Sequence, residues 1–311
     1  MSIVGRYAPS PTGRLHLGNA RTALLAWLQV RAAGGRFVMR VEDLDPQRSK
    51  PEHEHRQLED LRWLGLDWDE GPDVGGPHGP YRQSERGELY AAALAQLDHY
   101  RCTCTRRELR ETASAPHGAE PVYPGICAEG PSHPERLALG LGSTRWRTPA
   151  GELWFVDHVL GRRCQNVRAE VGDFVLRRAD GAWAYQLAVV VDDAAMQVNE
   201  VLRGADLWES TPRQILLQRT LGLATPGYAH VPLVVGPDGE KLNKRHGAPD
   251  LSALREAGID PRRVIAALAR SAGLLDDQGA HAHEQLSADE LIPSFDLAKL
   301  PRKPGILDLQ L

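Results

Sequence analysis

The sequence lacks long apolar runs: no stretch of about 18 or more apolar residues, the length that would span a bilayer, occurs in the chain. Its first residues, MSIVGRYAPSPTG, contain no basic segment followed by an apolar stretch, so they carry no recognisable secretory signal. We therefore expect a cytoplasmic protein with no membrane partner. The 311 residues allow one large domain or two modest ones.

Lysine is scarce in this chain, with 5 Lys against 32 Arg and a formal net charge of −4. The net charge gives no support to nucleic-acid binding by bulk charge, although a local basic face would still be compatible with it. Lys241 and Lys244 lie within four residues of each other. In a chain that favours arginine, this pair of lysines calls for a chemical explanation.

Cysteine is also rare, with only four residues. In a cytosolic chain of this size they are weak evidence for disulfides. Cys102, Cys104 and Cys127 fall within 26 residues, a grouping that favours a metal site. Three thiolates would leave one ligand to find in a tetrahedral zinc site. Plain reduced cysteines are the alternative, and we expect the more distant Cys164 to be structural.

The first forty residues predict a strand, a helix and a second strand. Residues 3–7 indicate a short buried strand, and apolar residues from Ala20 to Leu28 recur at helical spacing. Gly34 and Gly35 are expected to end that helix, and residues 36–41 form the second strand. This order predicts a right-handed parallel βαβ unit in an α/β fold with a Rossmann-like sheet. Ligands of such sheets bind at the carboxyl ends of the strands.

The rest of the chain predicts a second half of the sheet after an irregular insertion. YQLAVVVDD, which begins at Tyr185, is expected to be a buried strand that ends in two carboxylates. HVPLVVG, at 230–236, predicts another buried strand. The predicted division is 1–100 for the first half of the catalytic core, 101–182 for a zinc-binding and acceptor-contacting insertion, 183–245 for the second half of the core and 246–311 for a short helical C-terminal region.

The segment PSPTGRLHLGN joins the first strand to the first helix. Gly13 and Gly18 would let the backbone approach a ligand closely. The helix that follows offers free N–H groups and a positive dipole end to an anion, and His16 can donate a hydrogen bond to phosphate. The segment therefore indicates a phosphate site, with a solvated turn as the alternative.

A second segment, EKLNKRH at 240–246, follows a predicted strand and turn. Its three cations within five residues could hold the β- and γ-phosphates of a nucleotide and stabilise developing charge. A solvated basic loop is the alternative.

Together, HLGN and KLNKR resemble the signature pair of the class I aminoacyl-tRNA synthetases. RYAPSPTGRLHLGNART, RVEDLD, YQLAVVVDD and VLRGADL are similar to the glutamate-specific branch, in order and in spacing, from about residue 3 to residue 250. The sequence departs from the family at Asn243, where the second signature usually has Ser. Because Asn can still form hydrogen bonds, a working loop is expected.

The resemblance implies the catalytic core of a class I synthetase, an ATP-dependent ligase that forms glutamyl-adenylate with Mg²⁺ accompanying ATP. Catalysis is expected from His16, Lys244 and, more weakly, Lys241. By similarity, the nucleotide contacts His16, Gly18, Asn19 and Lys244. The residues implied for glutamate are Arg6, Tyr7, Ala8, Pro9, Ser10, Glu42, Tyr185 and Arg203. Glu42 would bind the α-ammonium group, and an Arg would read the side-chain carboxylate because its fork suits carboxylates.

The cysteine grouping is similar to the zinc site of a truncated paralogue of glutamyl-tRNA synthetase. That resemblance implies one structural zinc ion held by Cys102, Cys104, Tyr123 and Cys127, with Tyr123 as the fourth ligand. Tyrosine is an unusual zinc ligand, so water or another group is the alternative.

Only 66 residues follow Arg245, which is short for a helical anticodon-binding region of about 100 residues or more. The chain therefore resembles the truncated paralogues, which activate glutamate without tRNA and then esterify queuosine in the anticodon loop of tRNA(Asp). The expected partners are ATP, L-glutamate and queuosine-containing tRNA(Asp), and a monomer is expected. Two alternatives stay open: a glutamyl-tRNA synthetase fragment that charges a tRNA 3′ end, and a non-catalytic paralogue that binds adenylate or tRNA.

Overall fold

A computed structural model describes residues 2–105, 107–109, 122–236, 250–275 and 285–307. The strands are β1 (Val4–Tyr7), β2 (Arg36–Met39), β3 (His99–Cys102), β4 (Ser143–Trp146), β5 (Leu153–Asp157), β6 (Gly161–Gln165), β7 (Val175–Arg177), β8 (Glu200–Gly204), β9 (Gly227–Val231), β10 (Val234–Val235) and β11 (Gly305–Ile306). The α-helices are α1 (Leu17–Ala32), α2 (Pro51–Trp63), α3 (Gly87–Leu94), α4 (Pro134–Ala138), α5 (Val167–Glu170), α6 (Tyr185–Ala195), α7 (Thr211–Thr220), α8 (Leu251–Glu256) and α9 (Pro261–Ser271). Short 3-10 turns lie at Gln83–Glu85, Ala205–Ser210, Asp289–Ser294 and Leu297–Lys299.

The predicted βαβ unit is confirmed. β1 and β2 pair in parallel, with Val4 opposite Arg36, and α1 connects them. Leu24 and Leu28 of α1 are fully buried in the main hydrophobic core. After α1, Gly34 has a φ of +61°, a left-handed conformation that glycine adopts without the steric cost of a Cβ atom.

A four-stranded sheet follows the order β6-β5-β9-β8. β8 and β9 pair in parallel, β5 joins β9 in parallel, and β6 closes the edge as the antiparallel partner of β5. β1 begins beside the start of β8: the Asn199 amide donates to the Val4 carbonyl at 3.0 Å, and the Val4 amide donates to Asn199 Oδ1 at 2.8 Å. The predicted α/β fold with a parallel sheet is confirmed by these pairings.

The prediction that YQLAVVVDD forms a strand is wrong, because these residues form helix α6. Residues 187–193 are all buried. A short, continuous apolar run has the same pattern in a buried strand and in a buried helix, so periodicity cannot separate the two. The helix carries Asp192 and Asp193 near its C-terminal end, where Asp193 contacts Arg40 and Arg6.

The predicted strand at 230–236 is divided by Pro232 into the end of β9 and the short β10. Proline has no amide hydrogen and therefore interrupts a strand ladder. The Pro232 carbonyl accepts a hydrogen bond from Arg21 Nη1 at 2.7 Å, and Arg21 Nη2 donates to the Ser271 carbonyl at 3.3 Å. Arg21 is 1% exposed, and burial lowers its pKa to about 10.

Residues between α3 and α6 form a separate antiparallel sheet in the order β3-β4-β7. Trp146 of β4 packs edge-on against Phe174, with ring centroids 5.4 Å apart, and both side chains belong to a second core cluster. The sheet ends at Cys102, beside a small cluster that includes Tyr123 and Cys127. The predicted domain boundaries stay predictions.

The C-terminal part adds the two predicted helices to the core. The Asp250 side chain accepts a hydrogen bond from the Ala253 amide at the start of α8, and Asp260 does the same for the Arg262 amide at the start of α9. Val264 and Leu268 of α9 are fully buried in the same cluster as α1. Within the described part of the chain, no helix is long and apolar enough to cross a membrane.

Candidate active site and metal centre

A cleft of about 750 Å³ lies between the N-terminus of α1 and the carboxyl ends of β1 and β8. This is the position at which open α/β sheets bind ligands. Every described residue that the sequence analysis assigned to glutamate or ATP lines it. These residues are Arg6, Tyr7, Ala8, Pro9, Ser10, His16, Gly18, Asn19, Glu42, Tyr185 and Arg203.

Glu42 is held at one wall of the cleft by its backbone and by its side chain. Its amide donates to the Pro9 carbonyl at 2.9 Å, which continues the β1–β2 pairing into the cleft. Arg40 Nη2 donates to Glu42 Oε1 at 3.1 Å, and Arg40 Nη1 donates to Asp193 Oδ1 at 2.6 Å. The same Asp193 oxygen accepts a hydrogen bond from Arg6 Nε at 3.4 Å. Arg40 therefore links the two charged groups, Arg6 and Glu42, that face a ligand.

Burial and the neighbouring charges have opposite effects on the pKa values of Glu42 and Asp193. Burial raises the pKa of Glu42 above its ordinary value, and the guanidinium groups of Arg40 and Arg6 offset only part of that rise. Burial also acts to raise the pKa of Asp193, but Arg40 and Arg6 outweigh it and hold this pKa below its ordinary value. Glu42 is therefore the carboxylate that gains most from a further cation, such as an ammonium group in the cleft.

Arg203 lies in β8, lines the same cleft and is 4% exposed. Its Nε donates to His230 Nε2 at 3.0 Å, its Nη2 donates to Thr211 Oγ1 at 2.8 Å, and its Nη1 donates to Tyr185 Oη at 3.4 Å. None of the ion pairs in the described part of the chain includes Arg203. Within the described residues, it therefore presents a guanidinium group that is held by neutral partners and has no carboxylate within 4.0 Å.

The turn before α1 forms the other end of the cleft. Gln57 of α2 is buried and donates through Nε2 to the Ser10 carbonyl at 3.1 Å and to the Gly13 carbonyl at 2.7 Å. His16 is the N-cap residue of α1. A Cβ atom at Gly13 or Gly18 would meet no protein atom within 4 Å. The space over this turn is therefore open to a ligand, next to the positive end of the helix dipole.

The second signature falls outside the described residues. Lys241, Asn243 and Lys244 all lie within 237–249, where the structure describes nothing. The structure therefore does not test their predicted roles.

Cys102, Cys104 and Cys127 form a separate cluster in which the three sulfur atoms lie within 4.8 Å of one another. Cys104 Sγ is 3.5 Å from Cys127 Sγ, close to the spacing of about 3.7 Å that two thiolates have on one tetrahedral zinc ion. Tyr123 Oη is 3.4 Å from Cys102 Sγ and 3.8 Å from Cys104 Sγ. The cluster could hold a metal ion, and the tyrosine lies where a fourth ligand would be needed.

The thiols of this cluster have unequal pKa values. Burial acts to raise the pKa of Cys127, but hydrogen bonds from the Ser132 hydroxyl and amide lower it to about 6. Burial and the neighbouring Cys127 raise the pKa of Cys104 to about 11. Burial and the hydrogen bond with Cys102 raise the pKa of Tyr123. A divalent cation would favour deprotonation of the remaining groups, which fits a metal site.

Sequence reasoning missed the residues that hold the ligand-facing groups in place. Arg40 and Asp193 lie in the quoted motifs RVEDLD and YQLAVVVDD, but the strand interpretation of the second motif hid their contact. Asp157, His230 and Thr211 belong to the group of side chains that surrounds Arg203, and no sequence motif marks them. They meet only where β5, β9 and α7 come together, so the sequence alone does not indicate their contacts.

The comparisons with known proteins agree with this geometry. The chain matches the family model for tRNA synthetases class I (E and Q), catalytic domain, over residues 2–310. It is 53% identical to a glutamyl-Q tRNA(Asp) synthetase of Symbiobacterium thermophilum, covering 97% of this chain and 95% of that protein. It is 52% identical to one of Deinococcus radiodurans, covering 98% and 100%. The crystal structure of a glutamate-tRNA synthetase from Elizabethkingia anophelis matches with a TM-score of 0.86 and 30% identity, covering 100% of this chain and 69% of that chain.

These relatives are ligases, and their similarity extends over almost the whole chain rather than over the signature segments alone. The cleft, the open turn before α1 and the cysteine cluster all lie within the matched residues. The chain therefore belongs to the class I tRNA synthetases of the glutamate and glutamine type and, within them, to the glutamyl-Q tRNA(Asp) synthetases.

Proposed function

We propose that the chain activates L-glutamate with ATP, without tRNA, and then transfers the glutamyl group to queuosine in the anticodon loop of tRNA(Asp). The observation that carries this proposal is the cleft lined by Glu42 and by Arg203, which forms no ion pair with any described residue. The names of the most similar relatives support the choice of amino acid and of tRNA.

Glutamate would lie between Glu42 and Arg203. Glu42 binds the α-ammonium group, which offsets the cost of burying its carboxylate. Arg203 binds the side-chain carboxylate through N–H groups that its protein partners do not use. Arg6 and Tyr185 complete the polar lining, and Tyr7, Ala8, Pro9 and Ser10 form the wall along the end of β1.

ATP would lie over the open turn and the start of α1. An oxygen of the glutamate α-carboxylate attacks the α-phosphorus, the bond to the bridging oxygen breaks, and pyrophosphate leaves. Catalysis of this step needs positioning and charge stabilisation rather than a protein nucleophile. His16, Gly18 and Asn19 would contact the nucleotide, and Lys244 and Lys241 would add positive charge beside its phosphates. Mg²⁺ carried by ATP would offset part of the phosphate charge.

In the second step, a hydroxyl oxygen of the queuosine cyclopentenediol attacks the acyl carbon of the adenylate. The new ester bond forms, the acyl–phosphate bond breaks, and AMP leaves with the electron pair. The hydroxyl proton passes to AMP or to solvent.

We further propose that Cys102, Cys104, Cys127 and Tyr123 hold one structural zinc ion. The sulfur spacing, the low pKa of Cys127 and the hydrogen bonds that its sulfur accepts support this assignment. Zinc would cross-link β3 to the segment around Tyr123. The four-part domain division and a monomeric state are proposed as well.

The first test is pyrophosphate exchange into ATP on the purified chain, with glutamate and without tRNA. We expect exchange with glutamate and little with glutamine or aspartate. Labelled glutamate should then be transferred to tRNA(Asp) that contains queuosine and not to the same tRNA without it. Exchange only after tRNA is added would favour an ordinary glutamyl-tRNA synthetase. No exchange under either condition would favour a non-catalytic binding paralogue.

A further inference from the structure

Three neighbouring strands bring a buried aspartate, a histidine and an arginine into one line. Asp157 ends β5, His230 lies in β9, and Arg203 lies opposite His230 in the parallel β8 pairing. Asp157 Oδ2 is 2.6 Å from His230 Nδ1, and His230 Nε2 is 3.0 Å from Arg203 Nε. Each of the three residues is less than 5% exposed.

The chemistry of arginine fixes the proton positions along this line. Arginine can only donate hydrogen bonds, so His230 Nε2 must accept the bond from Arg203 Nε. The proton of the neutral ring is therefore on Nδ1, which donates to Asp157. Asp157 Oδ1 in turn accepts hydrogen bonds from the amides of Val159 at 2.9 Å and Leu160 at 2.8 Å. The carboxylate is thus fixed by the turn after β5.

The arrangement fixes Arg203 without neutralising it. A guanidinium group has five N–H donors, and within the described structure Arg203 uses three of them, on His230, Thr211 and Tyr185. Two donors remain for a ligand. A carboxylate in the place of His230 would hold the same edge of the guanidinium, but it would also compensate the charge that must attract an anionic ligand.

We propose that His230, held by Asp157, is a positioning residue that orients Arg203 through a neutral acceptor and so makes the cleft select an anionic side chain over its neutral amide. This inference rests on the proposed function, in which Arg203 reads the side-chain carboxylate of glutamate. It assigns the preference for glutamate over glutamine to residues that do not touch the amino acid.

Asp157→Asn is the sharpest variant because it preserves shape. The asparagine oxygen can still accept from the turn amides, which places its NH₂ group towards His230 Nδ1. The ring then carries its proton on Nε2, where the nearest acceptor is Thr211 Oγ1 at 3.0 Å, an oxygen that Arg203 Nη2 already uses. Arg203 Nε–H then faces a donor in place of its acceptor, which should raise the glutamate KM in pyrophosphate exchange by about 10- to 100-fold, while the ATP KM changes by less than about twofold.

Two substitutions of His230 separate acceptor chemistry from packing. His230→Gln supplies a neutral acceptor and should restore most of the glutamate preference that His230→Phe loses. In Asp157→Asn and His230→Phe, the ratio of glutamine to glutamate exchange should rise. Ser252→Ala is the matched control: Ser252 is fully buried and donates to Asp60 at 2.7 Å, and it does not line the cleft. Ser252→Ala should alter the stability of the fold and leave the KM values for glutamate and for ATP unchanged.

The outcomes separate the two proposals. If the unaltered chain shows no exchange with glutamate, the proposed function fails and this inference fails with it. If it exchanges, and folded Asp157→Asn keeps the wild-type glutamate KM or raises both KM values equally, the positioning role is wrong while the proposed function stands. Thermal unfolding shows whether each variant is folded. If His230→Phe does not fold, the kinetics of Asp157→Asn alone test the positioning role.

Discussion

At the scale of single residues, Arg40 shows how a buried cation can organise a site without touching its ligand. It is fully buried and lies between Glu42 and Asp193, with Asp192 within 3.9 Å. Each of these carboxylates would be costly to bury alone. The guanidinium group is therefore required both for folding and for the charge of the cleft.

We expect Arg40→Met to lower the free energy of unfolding by about 3–5 kcal/mol, because it removes the ion-pair partner of Glu42 and leaves Asp193 with Arg6 alone. The folded-state pKa values of those carboxylates would rise above their unfolded values, so part of the lost stability should return as the pH falls. Urea unfolding at several pH values measures both effects. Arg262→Met is the control, since Arg262 forms an exposed ion pair with Glu290 and its loss should cost at most about 1 kcal/mol. Equal losses in both variants would contradict this account.

Gly18 provides a second test at this scale. A Cβ atom there meets no protein atom within 4 Å, yet it would enter the cleft. Because Ala favours helices over Gly, Gly18→Ala should stabilise the fold by about 0.5–1 kcal/mol. If ATP occupies this space, the ATP KM should rise about tenfold or more.

Gly87→Ala, at the start of α3 and outside the cleft, gives the comparison: a Cβ atom there makes only ordinary contact with Trp183 at 3.5 Å. Both substitutions are to be followed by thermal unfolding and by exchange kinetics with varied ATP. A Gly18→Ala variant with an unchanged ATP KM would place the nucleotide elsewhere.

At the scale of elements, the contrast between α1 and α6 shows what sequence reasoning could and could not reach. The turn around His16 could be placed at the ligand-binding edge of the sheet because it belongs to one local strand–helix–strand unit, whereas the roles of Arg6 and Glu42 came from the family resemblance. The α6 segment was assigned to a strand because its apolar run is buried on every side, which removes the periodicity of an exposed helix. The Asp157–His230 contact joins residues 73 apart in the sequence, and only the strand register reveals it.

His230 lies where β5, β9 and β8 come together, and its burial there makes the free energy of unfolding depend on pH. Burial lowers the pKa of His230 below its ordinary value, and the charges of Arg203 and Arg6 act in the same direction against the opposing effect of Asp157. Between the folded pKa and the unfolded value of about 6.5, the unfolded chain binds more protons. This contribution to stability is therefore complete above the unfolded pKa of about 6.5, and it is lost as the pH falls from there through the folded pKa.

His230→Gln removes this titration. We expect the stability difference between the wild-type chain and His230→Gln to be largest at neutral pH and to shrink towards pH 5, measured by urea unfolding. A difference that stays constant over this range would show that His230 does not titrate with folding.

At the scale of the whole molecule, the large number of arginines does not describe the surface. Among the described residues, six arginines are buried, and they bond to carboxylates, carbonyls, ring nitrogens and hydroxyls inside the fold. These are Arg6, Arg21, Arg40, Arg86, Arg145 and Arg203. Part of the excess of arginine over lysine therefore serves bonding inside the fold.

The cysteine cluster lies apart from the cleft, so a zinc ion bound there would stabilise a different part of the molecule. We expect Cys102→Ser to lose most of its bound zinc by mass spectrometry, and to lower the melting temperature by several degrees through the loss of one cross-link. The glutamate KM should change less than about twofold, because none of the cluster residues lines the cleft. Cys164→Ser is the control, since Cys164 lies outside the cluster. Equal zinc content in both variants would argue against the proposed ligands.

Arg21 connects parts of the chain that are far apart in sequence. From the second turn of α1, it donates hydrogen bonds to the Pro232 carbonyl, just after the end of β9, and to the Ser271 carbonyl at the end of α9. As an internal strut, it links the helix that His16 caps to the end of β9, the strand that precedes the lysine pair in the sequence. Because Arg21 is 1% exposed, a displacement of α1 from this strand end would leave a buried donor without its acceptor, so the strut opposes any change in the spacing of these two parts of the cleft.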